Sequence, residues 1–246
     1  MSRNPHVSVL LAALGTCVAP IAPAQDAWEH RLGVYLMAAG LDGTSQIGPV
    51  ATDVDVGFGE LLEALEIGGM GFWQAEKGDV TVTVDAMYAA LAADDTGPFG
   101  VRFDVDVDQL ILGTDVAYRM NESFQLLAGL RYVSLDMELR VRSPTGATLR
   151  GADKQDWIDP YVGANATWPI NDAWSFVLRG DIGGFGVGSD FAWNVVARFN
   201  WNFSENMFAA FGYRILDMDY ENGSGNNLFA YDVAQSGPIA GIAWRF

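Results

Sequence analysis

Cysteine is nearly missing from this chain of 246 residues: there is one, Cys17. It falls in an N-terminal stretch that reads as an export signal, so the mature chain is expected to have neither a disulfide framework nor a thiolate metal site. Histidine is almost as scarce, with His6 and His30 the only two. His6 lies in the same stretch, which leaves His30 as the one imidazole for nucleophile activation or proton transfer. Long hydrophobic runs are also lacking. After residue 24 no run approaches the ~18 apolar residues that a membrane helix needs, although half the residues are hydrophobic. Positive charge is short too, with 14 Lys and Arg against 31 Asp and Glu and a net charge of −17. Such a chain repels polyanions, so no nucleic-acid partner is expected.

The first 24 residues supply the parts of a signal peptide: Arg3 as the positive start, Val7 to Val18 as the apolar segment, and Ala22-Pro23-Ala24 as a small-x-small cleavage site. Residues 25–246 are expected to form one domain. At its end Ala240, Ile242, Trp244 and Phe246 alternate with Gly241, Ala243 and Arg245. That two-residue period is a strand with one apolar face. A single strand in lipid would leave its backbone groups unpaired at several kcal/mol each, so the pattern implies a closed sheet, a transmembrane β-barrel. Ile242, Trp244 and the final Phe246 are similar to the terminal-strand signal by which outer-membrane barrels are recognised for assembly.

From Ile67 onward the chain reads as hairpins joined by short turns at 76–78, 120–123, 169–172 and 204–206. Aromatics flank these turns and both ends of the mature chain: Trp28, Trp73, Tyr118, Phe124, Trp168, Trp174, Trp201, Phe203 and Phe208, with Trp244 and Phe246. They are expected to form one girdle on the periplasmic side, where barrels of this class keep their short turns. Four short turns with both termini on that side require five outer loops and ten strands; eight is the alternative. Between Leu41 and Glu66 the pattern differs. Phe58, Leu61, Leu62 and Leu65 are spaced i, i+3, i+4, i+7, which predicts a short amphipathic helix in the first outer loop, lying on the surface or plugging the mouth.

Two of the strands change phase. In one, Leu110, Leu112, Val116 and Tyr118 are even, but Val101, Phe103, Val105 and Val107 are odd. In the next, Phe124, Leu126, Ala128 and Leu130 are even, but Val133, Leu135, Met137 and Leu139 are odd. Either a matched pair of bulges or the point where the hairpin leaves the membrane would produce this.

Charges on the other face of the strands carry the functional expectation. Asp85, Asp115, Arg131, Arg179, Asp181, Arg198 and Arg214 each lie roughly six to nine residues from the nearest short turn, near mid-membrane at ~3.3 Å per residue and a tilt of about 45°. Three acids face four bases, and an eight- to ten-stranded lumen is narrow enough for side chains to fill. A closing ion-pair network is the first reading and a charged channel constriction the second. Asp104-Val105-Asp106-Val107-Asp108 opens like a Ca²⁺ loop, but Gln109 and Asp115 stand where Gly and Glu are needed, so it reads as the polar face of a strand. The glycines of 183–188 lack a strand-to-helix setting and predict a tight hairpin loop.

Three phrases, Trp157-Ile158-Asp159-Pro160-Tyr161-Val162-Gly163, the run 179–191 that begins Arg179-Gly180-Asp181, and Gly212-Tyr213-Arg214-Ile215-Leu216-Asp217-Met218-Asp219-Tyr220, resemble those of proteobacterial outer-membrane barrels of the small OmpA/OmpX-like type. The resemblance implies an all-β closed antiparallel barrel in the bacterial outer membrane and brings no catalytic residue, no cofactor and no metal. The expected function is structural or surface-interacting, with a closed lumen. The alternatives are a narrow pore for small solutes and an outer-leaflet lipid-modifying enzyme or protease. Expected partners are outer-membrane lipids and lipopolysaccharide, the barrel assembly machinery, and divalent cations held loosely at acidic outer loops.

Overall fold

Alternation along the strands leaves every backbone group to be paired by a neighbour, and the chain satisfies this by closing on itself. The computed structural model describes residues 27–96 and 102–246; the expected signal segment, with Cys17, lies outside them. The strands are β1 Glu29–Met37, β2 Gly40–Ile47, β3 Val50–Val56, β4 Leu65–Lys77, β5 Val80–Thr96, β6 Arg102–Asn121, β7 Phe124–Arg142, β8 Thr148–Pro169, β9 Trp174–Gly184, β10 Phe191–Asn202, β11 Met207–Asn222 and β12 Phe229–Arg245. Among the described residues one α-helix, α1, spans Phe58–Ala64. All pairings are antiparallel, in the order β1-β4-β5-β6-β7-β8-β9-β10-β11-β12, and β12 closes the ring onto β1. Ten strands form the barrel, and the short turns and both described ends fall at one rim.

Closure is shared between two strands. The inner half of β12 pairs with β1, from Arg31↔Arg245 to Met37↔Ile239. Its outer half pairs with β2, from Ser236↔Gly40 to Phe229↔Ile47. β2 therefore continues the path of β1 after a break at Ala38–Ala39. The break sits against Gly237, where a Cβ would come within 2.1 Å of the Ala38 carbonyl oxygen, so the close approach needs glycine. β3 folds back on β2 as a hairpin at the outer rim. On the other side β1 meets β4 over only seven residue pairs, Glu29↔Glu76 to Tyr35↔Met70, whereas β6 and β7 stay paired from Arg102↔Arg142 to Arg119↔Gln125. α1 lies against β5 and β2 and contains no buried residue. The amphipathic helix forms where its spacing placed it, but it stays at the rim and does not plug the mouth.

The phase change in β6 and β7 is not a bulge. Their ladder runs without a register shift through the region, and the one irregularity is beside the short turn, between Arg119 and Asn121. Parity is constant, and what inverts is the chemistry of each face. Near the short-turn rim, Leu112, Val116, Leu126 and Leu130 point outward and exposed, while Asp115 and Arg131 point inward and are buried. Farther out, Ile111, Val133 and Leu135 are the inward, buried residues, and Asp106, Asp136 and Glu138 take the outward positions beside Arg140 and Lys154. The rim half is apolar outside and polar inside, as lipid demands. The far half is polar outside and apolar inside, as water demands. The hairpins thus continue beyond the membrane as a water-facing barrel.

An aromatic belt marks the lower edge of the apolar band. Trp168 stacks on Phe176 at 5.8 Å between ring centres, Trp174 on Trp201 at 5.9 Å, and Trp201 meets Phe203 at 5.6 Å. Across the closure His30 is stacked between Trp73 and Phe246, at 5.7 and 5.5 Å, and Trp28 and Tyr118 are exposed at the same rim. Phe208 departs from the girdle: it is buried inside with the Arg245 guanidinium over its ring, because Ala209 and Phe211 hold the outward parity of β11. Phe124, half-buried, edges the inner cavity. A closed barrel with an apolar outer band, an aromatic belt and a polar interior is a transmembrane β-barrel, the architecture of bacterial outer membranes.

Candidate functional site

The lumen has three layers, each set by which inward positions of neighbouring strands meet. At mid-depth lies a continuous network of charged and polar side chains. Arg131 Nη2 donates to Asp181 Oδ1 at 2.5 Å, and both side chains are almost wholly buried. Asn194 Nδ2 donates to Asp181 Oδ2 at 2.8 Å, and its own Oδ1 accepts from Arg214 Nε at 3.0 Å. Arg214 Nη1 reaches Asp85 at 3.2 Å and the Tyr35 hydroxyl at 2.9 Å, while Tyr35 donates to Asp85 Oδ2 at 2.9 Å. Arg179 Nη2 donates to Asp115 Oδ2 at 2.7 Å, an oxygen that also accepts from the Tyr161 hydroxyl at 3.0 Å. Arg131 lies over the Tyr161 ring, 5.0 Å from its centre. Eight strands are tied together this way, β1 and β5 to β11.

Six of the seven charges singled out from the sequence, Asp85, Asp115, Arg131, Arg179, Asp181 and Arg214, belong to this network. Arg198 does not. Its neighbours in register are Val177 on β9 and Gly212 on β11, and its side-chain partner is Asn200, at 3.2 Å from Nε. Tyr35, Tyr161 and Asn194 complete the layer and were missed. Their signal was parity alone, since Tyr35 alternates with outward Val34 and Leu36, and Asn194 shares the face of Arg198. Asp159 was also missed. Wholly buried, it accepts from the Ser189 backbone N–H at 2.6 Å, the Ser189 hydroxyl at 2.8 Å and Trp157 Nε1 at 3.2 Å. The glycine-rich stretch is the tight loop between β9 and β10, with Gly184, Phe185 and Gly186 all at positive φ. Its purpose is visible in Ser189, which it turns inward onto Asp159.

Outward of the network the lumen is filled by apolar side chains. Ile111, Val133, Leu135, Leu216, Met218, Phe229 and Val233 are each at most 2% exposed, and Trp157 stacks on Tyr220 with ring centres 4.0 Å apart. Met37 and Met87 belong to the same cluster; their flexible thioethers suit an irregular gap. Inward of the network is open space, a cavity of about 390 Å³ that extends to the short-turn residues Asn121, Glu122 and Ser123. Its wall carries Thr81, Thr83, Gln125, Asn165 and Thr167 together with Arg31, Arg119, Arg198 and Arg245. Arg31 is bonded to Glu76 at 3.0 Å and Gln74 at 2.8 Å, and Arg119 also reaches Glu76. Among the described residues no group of His, Cys, Asp and Glu is arranged to hold a metal ion.

No protein-family model matches the sequence, and no curated protein is recognisably similar to it. Solved structures similar in shape include the attachment invasion locus protein Ail of Yersinia pestis, in complex with the heparin analogue sucrose octasulfate, at 10% identity and a TM-score of 0.40, covering 89% of this chain and 98% of that one. The β domain of the Bordetella autotransporter BrkA is similar at 13% identity and a TM-score of 0.40, covering 90% and 99%. Neisserial surface protein A is similar at 10% identity and a TM-score of 0.31, covering 89% and 97%.

Proposed function

We propose that the protein is a non-conducting outer-membrane barrel with a structural role or one exercised through its water-facing outer half. The observation that carries this reading is the double closure of the lumen: a bonded layer of arginines and carboxylates at mid-depth, backed on the outer side by a close-packed apolar layer. An ion or solute entering from either side would have to break both. A buried charge is costly unless paired, and in this layer each arginine has a carboxylate within reach. Recording from refolded protein in planar bilayers tests it; the expected result is little steady conductance. Large, stable wild-type channels would replace it with the pore.

The pore is the second reading, and the open inner cavity favours it, because half of a passage already exists. No catalysis is proposed. His30, the histidine among the described residues, is sandwiched between two aromatic rings at the rim, away from the outer leaflet where a lipid-modifying centre would work.

A further inference from the structure

The inner cavity runs against the charge of the molecule as a whole. The chain carries a net charge of −17, yet the cavity wall has seven arginines, Arg31, Arg119, Arg131, Arg179, Arg198, Arg214 and Arg245, and five carboxylates, Glu76, Asp85, Asp115, Glu122 and Asp181. The excess positive charge has an address. Among the described residues Arg198 and Arg245 have no carboxylate within salt-bridge distance; Arg198 is held by Asn200 at 3.2 Å, and Arg245 by Asn202 at 2.7 Å and the face of Phe208. Register makes this costly. Arg245 is the direct cross-strand partner of Arg31, and like charges so placed repel; Nε of each is buried without a partner. Arg198 sits diagonally between Arg179, opposite Val196 on β9, and Arg214, opposite Val196 on β11. Two guanidinium groups on one cavity wall, without a carboxylate in contact among the described residues, are placed where an oxyanion would be stabilised.

We propose that the inner cavity is a binding site for a small periplasmic solute bearing a carboxylate or phosphate group, held by Arg198 and Arg245. The planar guanidinium fork matches both oxyanions, and the polar side chains of Gln125, Asn165 and Thr167 offer neutral hydrogen bonds to the rest of the solute. At about 390 Å³ the space admits a small metabolite and excludes a polymer. The site rests on the closed mid-depth layer as its floor, but its test does not depend on conductance.

The experiment uses the full barrel, refolded in a zwitterionic detergent. Inorganic phosphate and succinate are titrated separately by calorimetry and by thermal unfolding at constant ionic strength, with choline chloride as the control. Saturable binding of one or both is expected, with a rise in the unfolding midpoint, and the stronger of the two identifies the source. Arg198→Gln and Arg245→Gln should each weaken binding at least tenfold while keeping heat-modifiable gel mobility. Because either change could disturb the fold, the decisive variant is Asn200→Asp, which places a carboxylate beside Arg198. It should bind the anion at least tenfold more weakly and unfold at a higher temperature than the wild type. No saturable binding of either anion, or binding unaltered in Asn200→Asp, overturns the proposal.

Discussion

At the residue scale, the consequence of a lumen at mid-membrane is that its charges act as a set. Asp181 accepts from Arg131 and Asn194 and lies 3.8 Å from Arg179 Nε, so its loss leaves a buried guanidinium group unpaired. Asp181→Ala is expected to destabilise the barrel by about 3–5 kcal/mol, the usual cost of breaking a buried ion pair, and to produce flickering conductance as water enters. Arg179→Ala should act in the same direction and less strongly, since Arg179 is more exposed than Asp181. Denaturant unfolding and bilayer recording check both, and an Asp181→Ala barrel as stable and as silent as the wild type would remove the network from the account of closure. Beyond the apolar band the charges behave differently. Asp219 faces Asp232 directly across β11 and β12. Its carboxyl is raised above the ordinary value by partial burial, then by Asp232, Asp190, Asp217 and Glu221. The folded barrel therefore holds this proton more tightly than the unfolded chain, and stability rises as the pH falls through the raised value towards the ordinary ~4. Asp219→Asn should raise the thermal midpoint at pH 7 by on the order of 1–2 °C, with the gain gone near pH 3; a gain that persists in acid would refute the electrostatic cause.

At the element scale, the closing strands decide assembly. Phe246 and His30 exchange backbone hydrogen bonds, His30 N–H to the Phe246 carbonyl at 2.9 Å and Phe246 N–H to that of His30 at 3.0 Å, and the Phe246 ring rests on both His30 and Trp244. Deleting Phe246 removes these bonds from a ring that β4 holds by only seven residue pairs on the other side of β1. The variant is expected to reach the outer membrane at a small fraction of the wild-type level, with the remainder degraded; wild-type levels with unchanged heat-modifiable mobility would show that assembly does not read this residue. The helix makes the opposite case. Leu62 on α1 is 56% exposed, so Leu62→Gln should change stability by less than about 0.5 kcal/mol and leave conductance unaltered. A newly conducting Leu62→Gln barrel would mean that α1 does guard the mouth.

At the scale of the whole molecule, one wall passes through two solvents without changing its register. The outward row of β7 holds Leu126 and Leu130 near the belt, then Asp136 and Glu138 farther out, so a single face crosses from hydrocarbon to water within a few residues. Cysteines placed singly at Leu130 and at Asp136 in a Cys17→Ser background should report this in liposomes. A thiol reagent confined to water should modify the Asp136→Cys protein readily and spare Leu130→Cys, six positions below it. Equal reaction at both would mean that the membrane boundary lies elsewhere.

The sequence by itself determined the class of object. Alternation in residues 240–246, four short turns and the scarcity of long apolar runs leave a closed sheet in lipid as the consistent answer, because unpaired backbone cannot be left in hydrocarbon. Turn counting reached ten strands, and parity placed Asp85, Asp115, Arg131, Arg179, Asp181 and Arg214 on the inward side. Local pattern could not say which inward residues of distant strands meet. Tyr35 and Asp85 are 50 positions apart, Tyr35 and Arg214 are 179 apart, and their contact depends on the stagger of strands around the ring. The same limit left the phase change of β6 and β7 open, since an apolar residue at an inward position reads alike whether the strand has slipped or the surroundings have changed. Only the closed ladder decided it, as it did for Arg198, whose lack of a carboxylate partner among the described residues is a property of every strand around the cavity and of none alone.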